Sequence, residues 1–117
     1  MRKPLVYVVG TGGTIASKFD AKIGGHVSAV SVQDLASAVP ELVDVAEIKM
    51  LEHSNINSAL MDTRTAFTLR DTLNKVLKDG NVAGVVVTHG TATLEETAYL
   101  MDLTLGSEKP VVIVGAG

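Results

Sequence analysis

Leu5-Val6-Tyr7-Val8-Val9-Gly10-Thr11-Gly12-Gly13-Thr14 is an apolar run that breaks at once into glycine and threonine, and Gly84-Val85-Val86-Val87-Thr88-His89-Gly90-Thr91-Ala92-Thr93 does the same further along. Continuous β-branched runs bounded by glycine are the pattern of strands covered on both faces, as in a parallel sheet. Val111-Val112-Ile113-Val114 forms another such run. From Val45 to Leu51 the pattern alternates instead, with Ala46, Ile48 and Met50 on one face and Glu47 and Lys49 on the other, which predicts a strand nearer an edge.

The stretches between these strands read as helices. Ser31 is placed to cap a helix over Val32 to Ala38, with Asp34 completing a near capping box and Pro40 closing the helix. Asp62 to Lys78 carries Ala66, Leu69, Leu73, Val76 and Leu77 at helical spacing, with Gly80 expected as a left-handed stop. A last helix starts at Thr93, whose hydroxyl is expected to cap it while Glu96 reaches back, and runs through Ala98 and Met101 towards Leu105. Strands alternating with helices predict an α/β fold, a doubly wound parallel sheet flanked by helices. Ile15 to Ala29, with Gly24 and Gly25 adjacent and no clean periodicity, reads as a loop beside Thr14, and its length favours a lid.

Composition narrows the class. A chain of 117 residues with 46% hydrophobic residues has the profile of one globular domain that can bury a core. A net charge of −3, without a basic run or an aromatic ladder, argues against nucleic acid as a partner. No apolar stretch is long enough to span a bilayer, and the short run after Arg2 and Lys3 does not read as a secretory signal. With no cysteine, disulfide and thiolate chemistry are excluded and the redox compartment is unreadable, so cytoplasm is the default assignment. The apolar run at Val111 to Val114 reads as a buried strand on which the chain stops, so a fragment or one piece of a larger assembly is expected.

In a parallel sheet, ligands bind beyond the carboxyl ends of the strands, where helix N-termini offer free N–H groups. Both threonine-bearing turns lie at that edge. Gly10, Gly12 and Gly13 remove side chains that would block an approach, leaving backbone amides and the Thr14 hydroxyl. Ile15 occupies the last glycine position of a dinucleotide fingerprint, and no Gly-Lys-Ser/Thr follows for a phosphate loop. No His/Asp/Glu spacing fits a metal site, and no cofactor is expected. Thr93 has a structural explanation as a helix cap, whereas Thr91 has none. His89, directly after a strand, is expected to support the turn by hydrogen bonding more than to act as a general base, and His53 is expected to be solvated. Glu95 and Glu96 suit a helix N-terminus.

Thr11-Gly12-Gly13-Thr14-Ile15-Ala16, Val87-Thr88-His89-Gly90-Thr91, Glu95-Glu96-Thr97-Ala98-Tyr99 and Lys109-Pro110-Val111-Val112 together resemble the N-terminal domain of the bacterial-type L-asparaginase/glutaminase family, over nearly the whole chain. The resemblance implies that residues 1–117 are that N-terminal α/β domain or part of it, with the second domain absent from this chain. It implies a threonine amidohydrolase acting on a small-molecule amide, with Thr14 matching the nucleophile and Thr91 the second catalytic threonine. Ser58 falls where the family places a ligand for the substrate α-carboxylate, beside Ala59. Gly13, Gly90 and Ala92 complete the implied substrate contacts, and Gly25 and His26 mark the lid. An alcohol nucleophile needs a proton acceptor and oxyanion donors, and glycine-rich turns can supply the donors.

The departures from the family pattern bear on substrate. Ala92 stands where the family has an aspartate that holds the substrate ammonium and supports the activating lysine, and a methyl group does neither. Ala59 replaces a common glutamine, and the segment around Gly25-His26-Val27 lacks the usual tyrosine, a role His26 could take. The activating lysine and a neighbouring subunit's acid would come from another polypeptide or a C-terminal domain, in a homo- or hetero-oligomer. The expected function is therefore asparaginase-like hydrolysis with altered substrate preference. The alternative is a repurposed non-hydrolytic scaffold of the same fold that binds or isomerises a small molecule. An engineered Ala92 is a third reading, weakened because a designer would rarely also change the lid tyrosine and the glutamine.

Overall fold

The computed structural model describes residues 2–12, 17–20, 25–28 and 32–115. Strands β1 (Leu5–Gly10), β4 (Glu47–Glu52), β5 (Val82–Thr88) and β6 (Val111–Val114) form one parallel sheet in the order β4-β1-β5-β6. Strands β2 (Ser17–Asp20) and β3 (Gly25–Ser28) form a separate antiparallel pair. Four α-helices accompany them among the described residues: α1 (Val32–Ser37), α2 (Leu42–Val45), α3 (Thr63–Leu77) and α4 (Leu94–Thr104).

The chain steps from β1 to β4 in one direction and then back across β1 to β5 and β6 in the other. With connections running in opposite senses from β1, and with α1 against β1 and β4 and α3 against β5, this is the doubly wound arrangement read from the sequence. The core lies on the α3 and α4 side, where Leu69, Leu73, Leu77 and Met101 close over Val9, Val85 and Val87. Val8, on the opposite face of β1, is also buried. At the two outer strands burial is partial: Met50 in β4 and Val112 and Val114 in β6 are exposed.

Helix α3 follows its sequence pattern closely. Asp62 takes the N-cap position in extended conformation, its Oδ1 accepting the Thr65 N–H at 2.8 Å. The caps elsewhere depart from expectation. Gly80 does not adopt a positive φ, and α3 ends at an αR Lys78. Thr93 makes no side-chain cap bond to α4, because its hydroxyl is used elsewhere. Helix α1 stops at Ser37 ahead of Pro40, and Ser31 lies outside the described residues. The short α2, absent from the sequence reading, consumes Val45 and delays the edge strand to Glu47.

The segment read as a structureless loop contains the β2–β3 hairpin, with Phe19 opposite His26 and Asp20 opposite Gly25. Four-residue strands give too few alternations to register as a period, so backbone pairing supplies what side-chain pattern does not announce.

Candidate functional site

Three chain turns meet at the carboxyl edge of the sheet, next to the point between β1 and β5 where the strand order reverses. The turn after β1 is anchored by Thr11, only 1% exposed, whose N–H and hydroxyl both donate to the Thr88 carbonyl at 3.1 and 2.6 Å. The Thr11 carbonyl accepts the Ile56 N–H at 2.9 Å, and Gly10 O accepts from the N–H groups of His53 and Ser54. Gly12 adopts φ +99, and a Cβ there would stand 2.4 Å from Ile56 N and 2.6 Å from Ile56 O. Glycine is thus required at position 12 both by the backbone conformation and by the approach of the 55–58 segment.

That segment closes in a short 3₁₀ turn, Ser58–Leu60, with Asn57 Oδ1 accepting the Ala59 N–H at 2.9 Å. Ser58 is only 2% exposed. Its Oγ accepts the Ala92 N–H at 3.0 Å, and its carbonyl accepts the Thr93 hydroxyl at 2.9 Å. The Thr93 hydroxyl therefore ties two turns together instead of capping its helix. Gly90 is the matching small residue, since a Cβ there would lie 2.5 Å from Ser58 Oγ and 2.8 Å from Ser58 Cβ.

The geometry thus brings together Ser58, Gly90 and Ala92, with Thr91 exposed between the last two and Ala59 exposed on the neighbouring turn. Gly13 and Thr14 lie outside the described residues, so no distance joins Thr14 to Thr91. Gly25 and His26 belong to the backbone of β3. The sequence reading did not single out Thr11, Ile56, Asn57 or the second use of Thr93. Only Asn57 carried a local signal, an Asx-type turn two residues ahead of an amide donor; the others act across more than thirty residues of chain.

The histidines occupy different environments. His53 is half-buried rather than solvated, because the end of β4 packs it towards α3: its Nε2 meets Thr68 Oγ1 at 3.1 Å and its Nδ1 meets Ser54 Oγ at 3.2 Å. The Thr68 proton is spent on Thr65 O, so Nε2 is the donor in that pair. Burial lowers the His53 pKa from its ordinary value. Asp62 is also held below the usual carboxylate range, chiefly by the Thr65 backbone N–H. Among the described residues no group of three or more His, Cys, Asp or Glu is placed to hold a metal ion. No described helix is long and apolar enough to cross a membrane.

The glycine turn, the buried serine and the Gly90–Ala92 turn are thus stitched together at one sheet edge, and similarity to known proteins extends over all three. The family model described as "Asparaginase, N-terminal" matches residues 5–117. The chain belongs to the asparaginase family. Relatives include L-asparaginase 2-3 of Saccharomyces cerevisiae, 44% identical over 115 residues, and L-asparaginase 2 of Escherichia coli, 43% identical over 115 residues; each match covers 97% of this chain. A glutamyl-tRNA(Gln) amidotransferase subunit of Archaeoglobus fulgidus is 39% identical over 113 residues, 97% of this chain and 27% of its own length. A crystal structure of the probable cytoplasmic L-asparaginase from Campylobacter jejuni superimposes with a TM-score of 0.85 at 40% identity, over 97% of this chain and 33% of that one. The chain spans about a third of the length of the asparaginases it matches, 32% in both the yeast and the E. coli case.

Proposed function

We propose that this asparaginase-family chain forms the threonine-bearing part of an amidohydrolase that cleaves a small amide, with Thr14 as nucleophile and Thr91 as the second catalytic hydroxyl. The observation that carries this reading is the stitched edge itself. Ser58 Oγ on Ala92 N, Gly90 against Ser58 and Thr11 on Thr88 O hold Thr11–Gly12 and the Thr91 turn in one frame. Preorganised donors and a held hydroxyl are what acyl transfer through a covalent intermediate requires. The Thr14 oxygen would attack the amide carbon, the amine would leave as ammonia after protonation, and water would release the acid.

Ser58 Oγ already accepts a hydrogen bond from the Ala92 N–H, so its own O–H is left to donate a hydrogen bond to a substrate carboxylate. Position 92 offers a methyl group where an ammonium would need a carboxylate, and Ala92 is exposed at this edge. The preferred substrate is therefore an amide without a free α-ammonium. A lysine and an acid from a second domain or another polypeptide complete the proton relay, and the similarity to a named amidotransferase subunit supports assembly with further chains. The likeness to a cytoplasmic asparaginase supports the same compartment here.

The same methyl group favours a second reading, a scaffold that keeps the crevice and binds or isomerises its ligand without hydrolysis. Ammonia release from a panel of amino and desamino amides separates the two. Thr14→Ala is expected to abolish release while leaving the fold intact, a loss of several orders of magnitude, beyond the ~10²- to 10³-fold of one oxyanion donor. Unchanged hydrolysis in Thr14→Ala removes that residue from the mechanism, and absence of hydrolysis in the parent across the panel favours the scaffold.

A further inference from the structure

His89 is a fully buried, proton-bearing side chain that the mechanism above leaves unused, at 0% exposure directly after β5. Its backbone N–H donates to Val114 O at 2.9 Å, which ties it to the end of β6. Its ring Nδ1 lies 2.6 Å from the Gly90 carbonyl oxygen. A carbonyl oxygen only accepts, so Nδ1 carries the proton and donates it. In that tautomer of the neutral ring Nε2 presents a lone pair, and Nε2 has no hydrogen-bond partner among the described residues.

An apolar residue of similar volume would fill the same space without burying an unmatched acceptor, whose desolvation weighs against the fold. What the imidazole offers in return is the short bond to Gly90 O. The Gly90 carbonyl and the Thr91 N–H belong to one planar trans peptide and point in opposite directions. Clamping that carbonyl towards the buried ring therefore fixes the Thr91 N–H away from it, and with it the path of the chain to Ala92 N and its bond to Ser58 Oγ.

We propose that His89 is a positioning residue: its Nδ1–H holds the Gly90–Thr91 peptide plane and so sets the placement of the Thr91 hydroxyl. In its kinetic consequences this rests on the reading of Thr91 as catalytic; in its structural consequences it does not. His89→Asn places a side-chain amide N–H near the Nδ1 position and retains the donor. His89→Gln reaches instead towards the Nε2 position and loses it.

The test uses the native assembly, with three readouts. Nitrogen-15 spectra of the parent are expected to show a proton on His89 Nδ1. Amide exchange at Ala92 is expected to accelerate at least about tenfold in His89→Gln and to change little in His89→Asn. With an amide substrate, His89→Gln is expected to lower kcat about 10- to 100-fold with KM within about threefold, as displacement of a reacting group does, and His89→Asn to remain within about threefold of the parent. A ring without a proton on Nδ1 in the parent overturns the proposal, even if neither variant folds. Equal losses in the two variants that merely track the folded fraction overturn it as well. If the parent hydrolyses no amide, the amidohydrolase reading fails, while the tautomer and the Ala92 exchange still decide the role of His89.

Discussion

Gly90→Ala puts the described site under direct strain. The added Cβ would stand 2.5 Å from Ser58 Oγ, 2.8 Å from Ser58 Cβ and 3.1 Å from Ser58 N, two of these shorter than packed carbon contacts allow. Ser58 has little room to yield, since it is buried and its Oγ and carbonyl oxygen are each held by a hydrogen bond, from Ala92 N and Thr93 Oγ1. Overpacking of this kind costs ~1–3 kcal/mol. Straining one of the Ser58 hydrogen bonds adds ~0.5–1.5 kcal/mol. Because Gly90 does not have a positive φ, alanine recovers ~0.4–1 kcal/mol through the unfolded chain. The net expectation is a loss of ~0.5–4 kcal/mol, read as a lower urea midpoint at unchanged slope. A cycle with Ser58→Gly, which removes the two closest obstructing atoms, should show the double variant less destabilised than the sum of the singles by about 1 kcal/mol or more. Additivity within about 0.5 kcal/mol would mean that positions 58 and 90 do not touch, and the frame proposed to hold Thr91 would fall with that contact.

Ala92→Asp is expected to raise ammonia release from asparagine or glutamine relative to the parent and to lower it for desamino amides. Ala92 is exposed in this chain, where a charge pair is worth ~0.2–1 kcal/mol; covering of the site by the rest of the assembly takes the pairing with a substrate ammonium to ~2–5 kcal/mol, or roughly 30- to several-thousand-fold. Unchanged preference and rate would show that position 92 does not face the substrate. For His53, burial lowers the folded-state pKa, so below the ordinary value of 6.5 the unfolded chain takes up the proton first. Stability should therefore fall as pH drops from 6.5 through the lower folded value and level off beneath it, and His53→Gln should flatten that step in urea titrations against pH.

The sheet was legible in the sequence because its strands are apolar runs or alternate in polarity, although the outer strands are less covered than the pattern predicts: β6 leaves Val112 and Val114 exposed and β4 leaves Met50 exposed, since each pairs on one edge alone. Leu5–Val9, Val85–Val87 and Val111–Val114 announce themselves as apolar runs, and Ala66, Leu69, Leu73 and Leu77 announce α3 by spacing alone, all four buried in the fold. Those signals are local, and a chain of neighbours is enough to carry them. The β2–β3 hairpin and α2 were not legible, because four residues are too few to establish a period of either kind.

The candidate site divides along the same line. Residue types and order within Thr11–Ala16 and Thr88–Thr93 marked the two turns and their likeness to a family, and did so without any knowledge of their separation in space. What each hydroxyl does was decided only by tertiary structure. Thr11 bonds to a carbonyl 77 residues away, Ser58 accepts an amide 34 residues away, and Thr93 abandons its helix cap for a carbonyl 35 residues away. A hydroxyl takes whichever buried partner lies within about 3 Å and leaves least unsatisfied. Sequence determines which groups can bond, whereas the convergence of β1, β5 and the 55–58 segment determines which of them do.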